Sequence, residues 1–182
     1  MNPLRERFLA AGMTVLGRNG YAGFKQAAVC RQTGLTTGAF YHSFRNWKEF
    51  EAALIEHWRA EATDSIVARL DVAPSPHERI EALIGVALSL PHRSEAAIRV
   101  WAAGDARVAE ALSAVDAARR EAVARYVREI GIDADHADRF AATSMLLLIG
   151  HEAAGTPVEE LEWSMRHFVE TDPQVAAALA EP

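Results

Sequence analysis

The segment from residue 31 to residue 48, RQTGLTTGAFYHSFRNWK, constrains the fold of this chain more than any other stretch. Gly34 lies where a short helix must turn, because glycine has no Cβ that resists a left-handed backbone. Thr36 can cap the next helix by accepting a hydrogen bond from its free backbone amides. Phe40 and Phe44 are four residues apart in that helix and can be buried on one face. The pattern predicts a helix-turn-helix.

The second helix of this motif, about residues 37–44, also has a polar outer face formed by Thr37, Tyr41 and His42. Together with its surroundings, residues 20–50, it resembles the DNA-binding end of TetR-family (tetracycline-repressor-like) transcriptional regulators. The matching residues are Gly20, Val29-Cys30, Thr33-Gly34-Leu35-Thr36, Gly38-Ala39-Phe40-Tyr41, Phe44 and the stripe from Phe50 to Leu54. The resemblance covers about thirty of the 182 residues, and the remainder matches the family in length and helical character alone.

The chain departs from the family pattern at three positions. The family usually has His just before the closing Phe, whereas this chain has Ser43 there and His42 one place earlier. A Lys is common where Trp47 stands, with Lys48 beside it, and a Thr that often caps the second helix is replaced by Phe24. Two of these three positions commonly contact phosphates in the family.

Candidate DNA contacts follow from the chemistry of the side chains. Small residues at the start of the recognition helix let the backbone approach the major groove, and Ala39 or a threonine methyl can contact a thymine methyl. Tyr41 and Lys48, which the resemblance also implies, and Lys25 suit phosphates. His42 either replaces the displaced family His or is merely exposed. The predicted DNA-binding residues are Lys25, Thr36, Thr37, Gly38, Ala39, Tyr41, His42 and Lys48.

The distribution of charge supports a DNA-binding amino-terminal end. Residues 1–48 carry seven Lys or Arg and one acidic residue, a net charge of +6. Residues 49–182 carry twelve bases and twenty-four acids, a net charge of −12. This asymmetry indicates one end that attracts a polyanion and a body that does not.

Helical periodicity without alternating β-branched runs predicts an all-α protein of about nine helices. A three-helix domain, residues 1–46, is expected to join through a long helix 4 to a regulatory and dimerisation bundle, residues 47–182. The helices are predicted at about 3–19, 25–33, 37–44, 47–70, 76–90, 94–104, 106–130, 134–154 and 158–171. The break before helix 5 is assigned to Pro74-Ser75-Pro76, and Ser94 to the cap of helix 6.

Helix 8 contains an apolar run at residues 140–150, FAATSMLLLIG. A helix that is apolar all round must be covered all round. It is therefore either the central helix of a monomer or, with helix 9, half of a four-helix homodimer interface. The predicted interface residues are Leu147, Leu148, His151 and Trp163.

The family resemblance implies a small-molecule effector held within the helical body. The candidate pocket residues are Trp58, Ala62, Leu83, Trp101, Leu112, Arg119 and Met145, which can equally form an ordinary packed core. Arg119 can pair with a ligand carboxylate or with a nearby Glu. The sequence has no metal-ligand set, catalytic motif or dinucleotide fingerprint, so no enzyme, metal or cofactor is expected.

The sequence thus predicts a cytoplasmic transcriptional regulator, a repressor that binds a palindromic double-stranded DNA operator as a homodimer and is released by a small apolar ligand. Its single cysteine, Cys30, fits a reducing compartment, and no apolar run is long enough for a membrane span. The alternative is a non-catalytic helical dimer with weakened DNA binding that acts as a ligand-binding or interaction module.

Overall fold

The computed structural model describes residues 2–70 and 75–180, and every regular element within these ranges is an α-helix. The predicted all-α fold is therefore confirmed. The helices are α1 Pro3–Asn19, α2 Gln26–Thr33, α3 Thr37–Ser43, α4 Trp47–Leu70, α5 Pro76–Leu88, α6 His92–Ala102, α7 Ala106–Glu129, α8 Ala134–Ala154, α9 Val158–Thr171 and α10 Pro173–Ala180.

Side-chain caps define several helix starts. The Asn2 side chain accepts a hydrogen bond from the Leu4 amide at 3.0 Å at the start of α1. Before α5, Ser75 and Glu78 form a reciprocal capping box, in which each side chain bonds the other residue's backbone amide. Pro74, which the sequence assigned to the same break, lies outside the described residues.

Two predicted helix boundaries need correction. The chain has a tenth helix, α10, in which the Asp172 carboxylate caps the amides of Gln174 and Val175 at 3.1 and 3.0 Å. In addition, α6 begins at His92, and Ser94 does not cap it. The Ser94 hydroxyl instead donates to the Met13 carbonyl of α1 at 3.0 Å.

The chain divides into two compact units. The first comprises Met1–Glu61 and Pro91–Ser113, and the second comprises Ala62–Leu90 and Ala114–Pro182. Helices α4 and α7 therefore each contribute residues to both units. The division at residues 46 and 47, which separates the predicted DNA-binding region from the regulatory region, stays a prediction about function.

The first unit is organised around α1, which packs against α2, α3 and α6. Two glycines permit this close approach. A Cβ atom on Gly12 would lie 2.8 Å from Cζ of Phe50, and one on Gly17 would lie 2.8 Å from Oγ of Ser94. Both separations are shorter than van der Waals contact, so α1 can pack this closely because these positions carry no side chain.

The second unit has its own apolar core, formed by α5, α7, α8, α9 and α10. Phe140 of α8 stacks on Phe168 of α9 with ring centroids 4.5 Å apart. On the surface, Arg166 of α9 pairs with Glu81 of α5 at 2.8 Å. The buried core residues are Ile80, Ile84, Val127, Ile132, Ala137, Phe140, Met145, Leu148, Leu161, Met165 and Val175.

Candidate nucleic-acid interface and apolar cavity

The turn between α2 and α3 has the geometry expected from its sequence. Gly34 adopts a left-handed conformation, with φ 68° and ψ 16°, and its amide donates to the carbonyls at the end of α2. The Thr36 hydroxyl accepts a hydrogen bond from the Ala39 amide at 3.2 Å. The chain therefore leaves α2, turns within three residues and enters α3 with its first turn capped.

Aromatic packing fixes the inner face of α3. Phe40 and Phe44 are buried, and the Phe40 ring lies 5.4 Å from the Phe8 ring of α1 in an edge-on arrangement. The same ring lies 5.4 Å from the Phe50 ring of α4. Such pairs add about 0.5–1.5 kcal/mol each to the burial of their area. The recognition helix is therefore held on two sides by rigid rings.

The outer face of α3 is open to solvent. Tyr41 is 54% exposed, so its ring and hydroxyl are accessible to a partner. Ala39 is half-buried, and the other predicted DNA-binding residues are exposed, namely Lys25, Thr36, Thr37, Gly38, Tyr41, His42 and Lys48. The structure thus brings the six predicted residues of 36–42 onto one short helix and its cap, flanked by a lysine at the start of α2 and another in the first turn of α4.

The departures from the family pattern are explained by packing. The half-buried Trp47 ring lies 4.9 Å from both the Phe24 and Phe50 rings, so it belongs to the aromatic core. Phe24 occupies that core too, and α2, which begins at Gln26 after the N-cap residue Lys25, has no side-chain cap. Ser43 bonds within its own helix, since its hydroxyl donates to the Ala39 carbonyl at 3.4 Å.

Arg45 is a candidate DNA contact that the sequence reasoning missed. Its side chain is 88% exposed, and its Nε donates to Oε2 of Glu49 at 2.9 Å. The Arg45 backbone amide donates to the same oxygen at 2.9 Å, and these bonds hold the pKa of Glu49 below its ordinary value. The other carboxylate oxygen of Glu49 accepts from Arg5 at 3.4 Å. The outer nitrogens of Arg45 therefore project into solvent from an oriented guanidinium.

A local signal for this arrangement was present in the sequence. Asn46 and Glu49 are three residues apart at the start of α4, the spacing of a capping box. The Asn46 side chain accepts from the Glu49 amide at 2.9 Å, as a cap does. This spacing could have predicted that the Glu49 side chain folds back toward the residues before α4. Arg45 is the nearest cation among those residues.

The predicted ligand-pocket residues fall into two groups. Trp58, Trp101 and Leu112 belong to the first unit. There, Trp58 Nε1 donates to the buried Glu95 carboxylate at 3.4 Å, and Trp101 stacks on Tyr21 with ring centroids 5.2 Å apart. Ala62 is buried in the second unit but lines no cavity described here. Trp58, Ala62 and Trp101 therefore pack in the interior of the protein, and Leu112 is half-buried.

The remaining three residues, Leu83, Arg119 and Met145, come together at a cavity of about 80 Å³ in the second unit. Residues of α5, α7, α8 and α9, together with Leu90, line it, and one side of it is open. Arg119 is 5% exposed. The residues that line the cavity are Ile80, Leu83, Ile84, Val86, Ala87, Leu90, Arg119, Ala122, Val123, Phe140, Ser144, Met145, Leu148, Met165, Phe168 and Val169.

The predicted dimer residues have different environments within the protomer. Leu148 and His151 are buried in the second unit, where His151 Nδ1 lies 2.9 Å from the Thr156 hydroxyl. Leu147 is half-buried, whereas Trp163 is 63% exposed and stacks on His167. Leu146, which the prediction omitted, is 69% exposed. Leu146 on α8 and Trp163 on α9 are therefore large apolar side chains that these helices expose to solvent.

Among the side chains that the structure describes within residues 2–70 and 75–180, which leave out those of residues 63–70 and 76–77, no group of three or more His, Cys, Asp or Glu is arranged to hold a metal ion. Among the same residues, none of the helices combines the length and apolar character of a membrane span.

Comparison with known proteins gives the class of this fold. No protein-family model matches the chain. The HTH-type transcriptional regulator BetI of Brucella canis is 28% identical over 102 residues, which are 56% of this chain and 52% of BetI. The chain thus spans about half the length of the curated relatives it matches.

Solved structures match the chain over nearly all of its length. A transcriptional regulator from Rhodococcus sp. Rha1 is 25% identical with a TM-score of 0.71, over 96% of this chain and 95% of that one. A TetR-family regulator from Rhodococcus sp. is 14% identical with a TM-score of 0.73, over 98% and 100%. A regulator from Saccharomonospora viridis in complex with choline is 17% identical with a TM-score of 0.79, over 92% and 96%.

The chain is therefore an all-helical protein with an amino-terminal helix-turn-helix, similar to transcriptional regulators over its whole length. Its fold is that of the TetR family of transcriptional regulators, and the resemblance inferred from residues 20–50 is confirmed.

Proposed function

We propose that this chain is a sequence-specific DNA-binding repressor that binds a palindromic operator as a homodimer and is released by a small ligand. The observation that carries the proposal is the division of α3 into two faces. Phe40 and Phe44 are buried on its inner face, while Thr37, Tyr41 and His42 are exposed on its outer face. The surplus of six positive charges within residues 1–48 supports attraction of this end to the phosphate backbone.

A homodimer is proposed because one helix of seven residues contacts few base pairs. A two-fold dimer doubles the readout and requires half-sites about one helical turn apart, roughly 34–36 Å. Leu146 and Trp163, exposed on α8 and α9, support an interface there. Leu148 and His151 would support the dimer indirectly, because they hold α8 and α9 in place within each protomer.

Ligand control is proposed from the cavity in the second unit. Its lining is almost entirely apolar, and two methionines, Met145 and Met165, give it adaptable walls. A ligand in this cavity can change operator affinity only if it binds two conformations of the protein with different affinities.

The test is in vitro selection of double-stranded DNA, followed by fluorescence anisotropy across a range of salt concentrations. Affinity for the selected site should fall steeply with salt, because each neutralised phosphate releases counterions. Tyr41→Phe and Lys48→Ala should weaken binding to all sequences, whereas Thr37→Ala should change sequence preference. Arg139→Ala, which removes an exposed cation from α8, is the matched control and should leave operator binding unchanged.

A second candidate function is a helical dimer that binds ligands or partners and has lost operator recognition. The specific observation in its favour is Trp47, which packs in the core where the family commonly has a lysine. If selection at low salt returns no preferred sequence while the protein is dimeric, this second function replaces the repressor.

A further inference from the structure

The apolar cavity of the second unit has one charged residue among the lining residues that the structure describes. That residue is Arg119 of α7, whose side chain is almost completely buried. The other polar lining side chain is Ser144, whose hydroxyl donates to the Phe140 carbonyl at 3.0 Å. The cavity therefore combines a hydrocarbon wall with one positively charged side chain.

The chemistry of this charge limits the class of ligand. A guanidinium stays protonated in proteins, and its removal from water is costly unless anions or acceptors surround it. Arg119 already has interactions within the protein. Because a guanidinium has five N–H donors in a planar fork, it can also take a carboxylate, which matches the fork with two parallel hydrogen bonds.

From this arrangement we propose that the cavity binds an apolar carboxylic acid, with its carboxylate at Arg119 and its hydrocarbon body against α5, α8 and α9. The proposal rests on the proposed function as a ligand-controlled regulator and names the chemical class of the effector. A quaternary ammonium such as choline is the opposite class. Its charge would face Arg119, and the two cavity aromatics, Phe140 and Phe168, stack on each other and form no aromatic cage.

The size of the cavity adds a second requirement. Its volume of about 80 Å³ is smaller than the roughly 150 Å³ of an engineered cavity that binds benzene. A ligand body larger than this volume must therefore widen the site or extend through its open side. Met145 and Met165 can accommodate a wider site, because methionine has three rotatable bonds and no branch at Cβ. Ligand entry that widens the site would change the packing among α5, α8 and α9.

The test is isothermal titration calorimetry of the full chain without DNA. The probes are octanoate, octan-1-ol, octylamine and choline at neutral pH, below any micelle concentration. We expect octanoate to bind at least tenfold more tightly than octan-1-ol, and octylamine and choline to show no binding. Arg119→Gln should weaken octanoate at least tenfold and leave octan-1-ol within about twofold. Arg120→Gln, which changes the exposed neighbour, is the matched control and should bind octanoate like wild type.

Equal affinity of wild type for octanoate and octan-1-ol would overturn the proposal without recourse to any variant, and so would binding of choline in place of octanoate. If Arg119→Gln does not fold, Arg119→Lys replaces it; it keeps the charge but loses the fork and should still lower octanoate affinity. Operator binding is measured separately. Octanoate binding that leaves operator affinity unchanged supports the acid site and refutes ligand-controlled repression. Operator binding without octanoate binding refutes the acid site and leaves the DNA-binding function standing.

Discussion

Replacing Gly12 of α1 by alanine should crowd the aromatic core that holds the recognition helix. The added Cβ would lie 2.8 Å from Cζ of Phe50 and 3.0 Å from Cδ1 of Leu54. Leu54 can rotate at its end, but the Phe50 ring is fixed, because it lies 5.4 Å from Phe40 and 5.0 Å from Phe44. Relief therefore requires a shift of α1 or of the rings that support α3.

The expected size of the effect follows from two opposing terms. Overpacking of a filled core costs about 1–3 kcal/mol. Alanine is about 1 kcal/mol more favourable than glycine inside a helix, so Gly12→Ala should destabilise by roughly 0–2 kcal/mol. Gly85→Ala in α5 is the matched control, because a Cβ there meets no atom within 4 Å. Gly85→Ala should gain only the more favourable helix propensity of alanine. The free energies of unfolding of the two variants should therefore differ by about 1–3 kcal/mol.

Urea unfolding followed by far-ultraviolet circular dichroism measures both variants. Phe50→Leu removes the atom nearest the new Cβ, and in that background Gly12→Ala should cost less, which a double-mutant cycle detects. Operator affinity of Gly12→Ala should also fall, because Phe50 supports Phe40 and Phe44. If Gly12→Ala stabilises the chain as much as Gly85→Ala does, the packing of α1 on Phe50 described above is incorrect.

Three further predictions concern the surface. Arg45→Ala should weaken binding to every DNA sequence. The slope of log affinity against log salt concentration, measured by anisotropy, should become shallower by about 1, and an unchanged slope would exclude a phosphate contact. Leu146→Glu should convert the dimer to monomer by light scattering, whereas Val100→Glu, at a comparably exposed position in the first unit, should not; a dimeric Leu146→Glu protein would exclude that interface. Glu49 has a pKa below its unfolded value of 4.5, so its stabilising contribution is present above pH 4.5 and lost as pH falls through the lower folded value. Glu49→Gln should therefore show a shallower loss of stability in acid, and an unchanged pH profile would refute the role of this carboxylate.

Local chemistry made the recognition motif predictable from sequence. Gly34, Thr36 and the Phe40–Phe44 spacing act within a few residues of one another, so the turn, the cap and the buried face could be placed without knowing the rest of the fold. The whole-chain fold class was equally accessible, because helical periodicity extends over most of the sequence.

Long-range packing was not predictable in the same way. Ser94 was assigned as a cap, but its hydroxyl bonds Met13, which is 81 residues away in the chain. The periodicity of an all-apolar helix does not specify which side is covered within the protomer, so the sequence could not show that Leu148 is buried there and that Leu146 is exposed. The subunit interface on α8 and α9 stays a prediction. The α10 cap was recognisable from Asp172 and Pro173, but helix assignment stopped one residue before them.

The proposed coupling between ligand and operator depends on α7 and not on α4, the helix that carries Trp58. The sequence placed Trp58 of α4 at the pocket, but Trp58 is buried in the first unit with Glu95. Arg119 of α7 lines the cavity instead, and α7 continues without a break into the first unit, where Val108 is buried. At 1.5 Å per residue, Arg119 lies about 9 Å along the helix from Ser113, the last first-unit residue of α7. A ligand that shifts α7 at Arg119 therefore moves an element shared with the first unit. If operator binding favours one position of α7, linkage requires DNA to weaken the acid's affinity by the factor by which the acid weakens DNA binding.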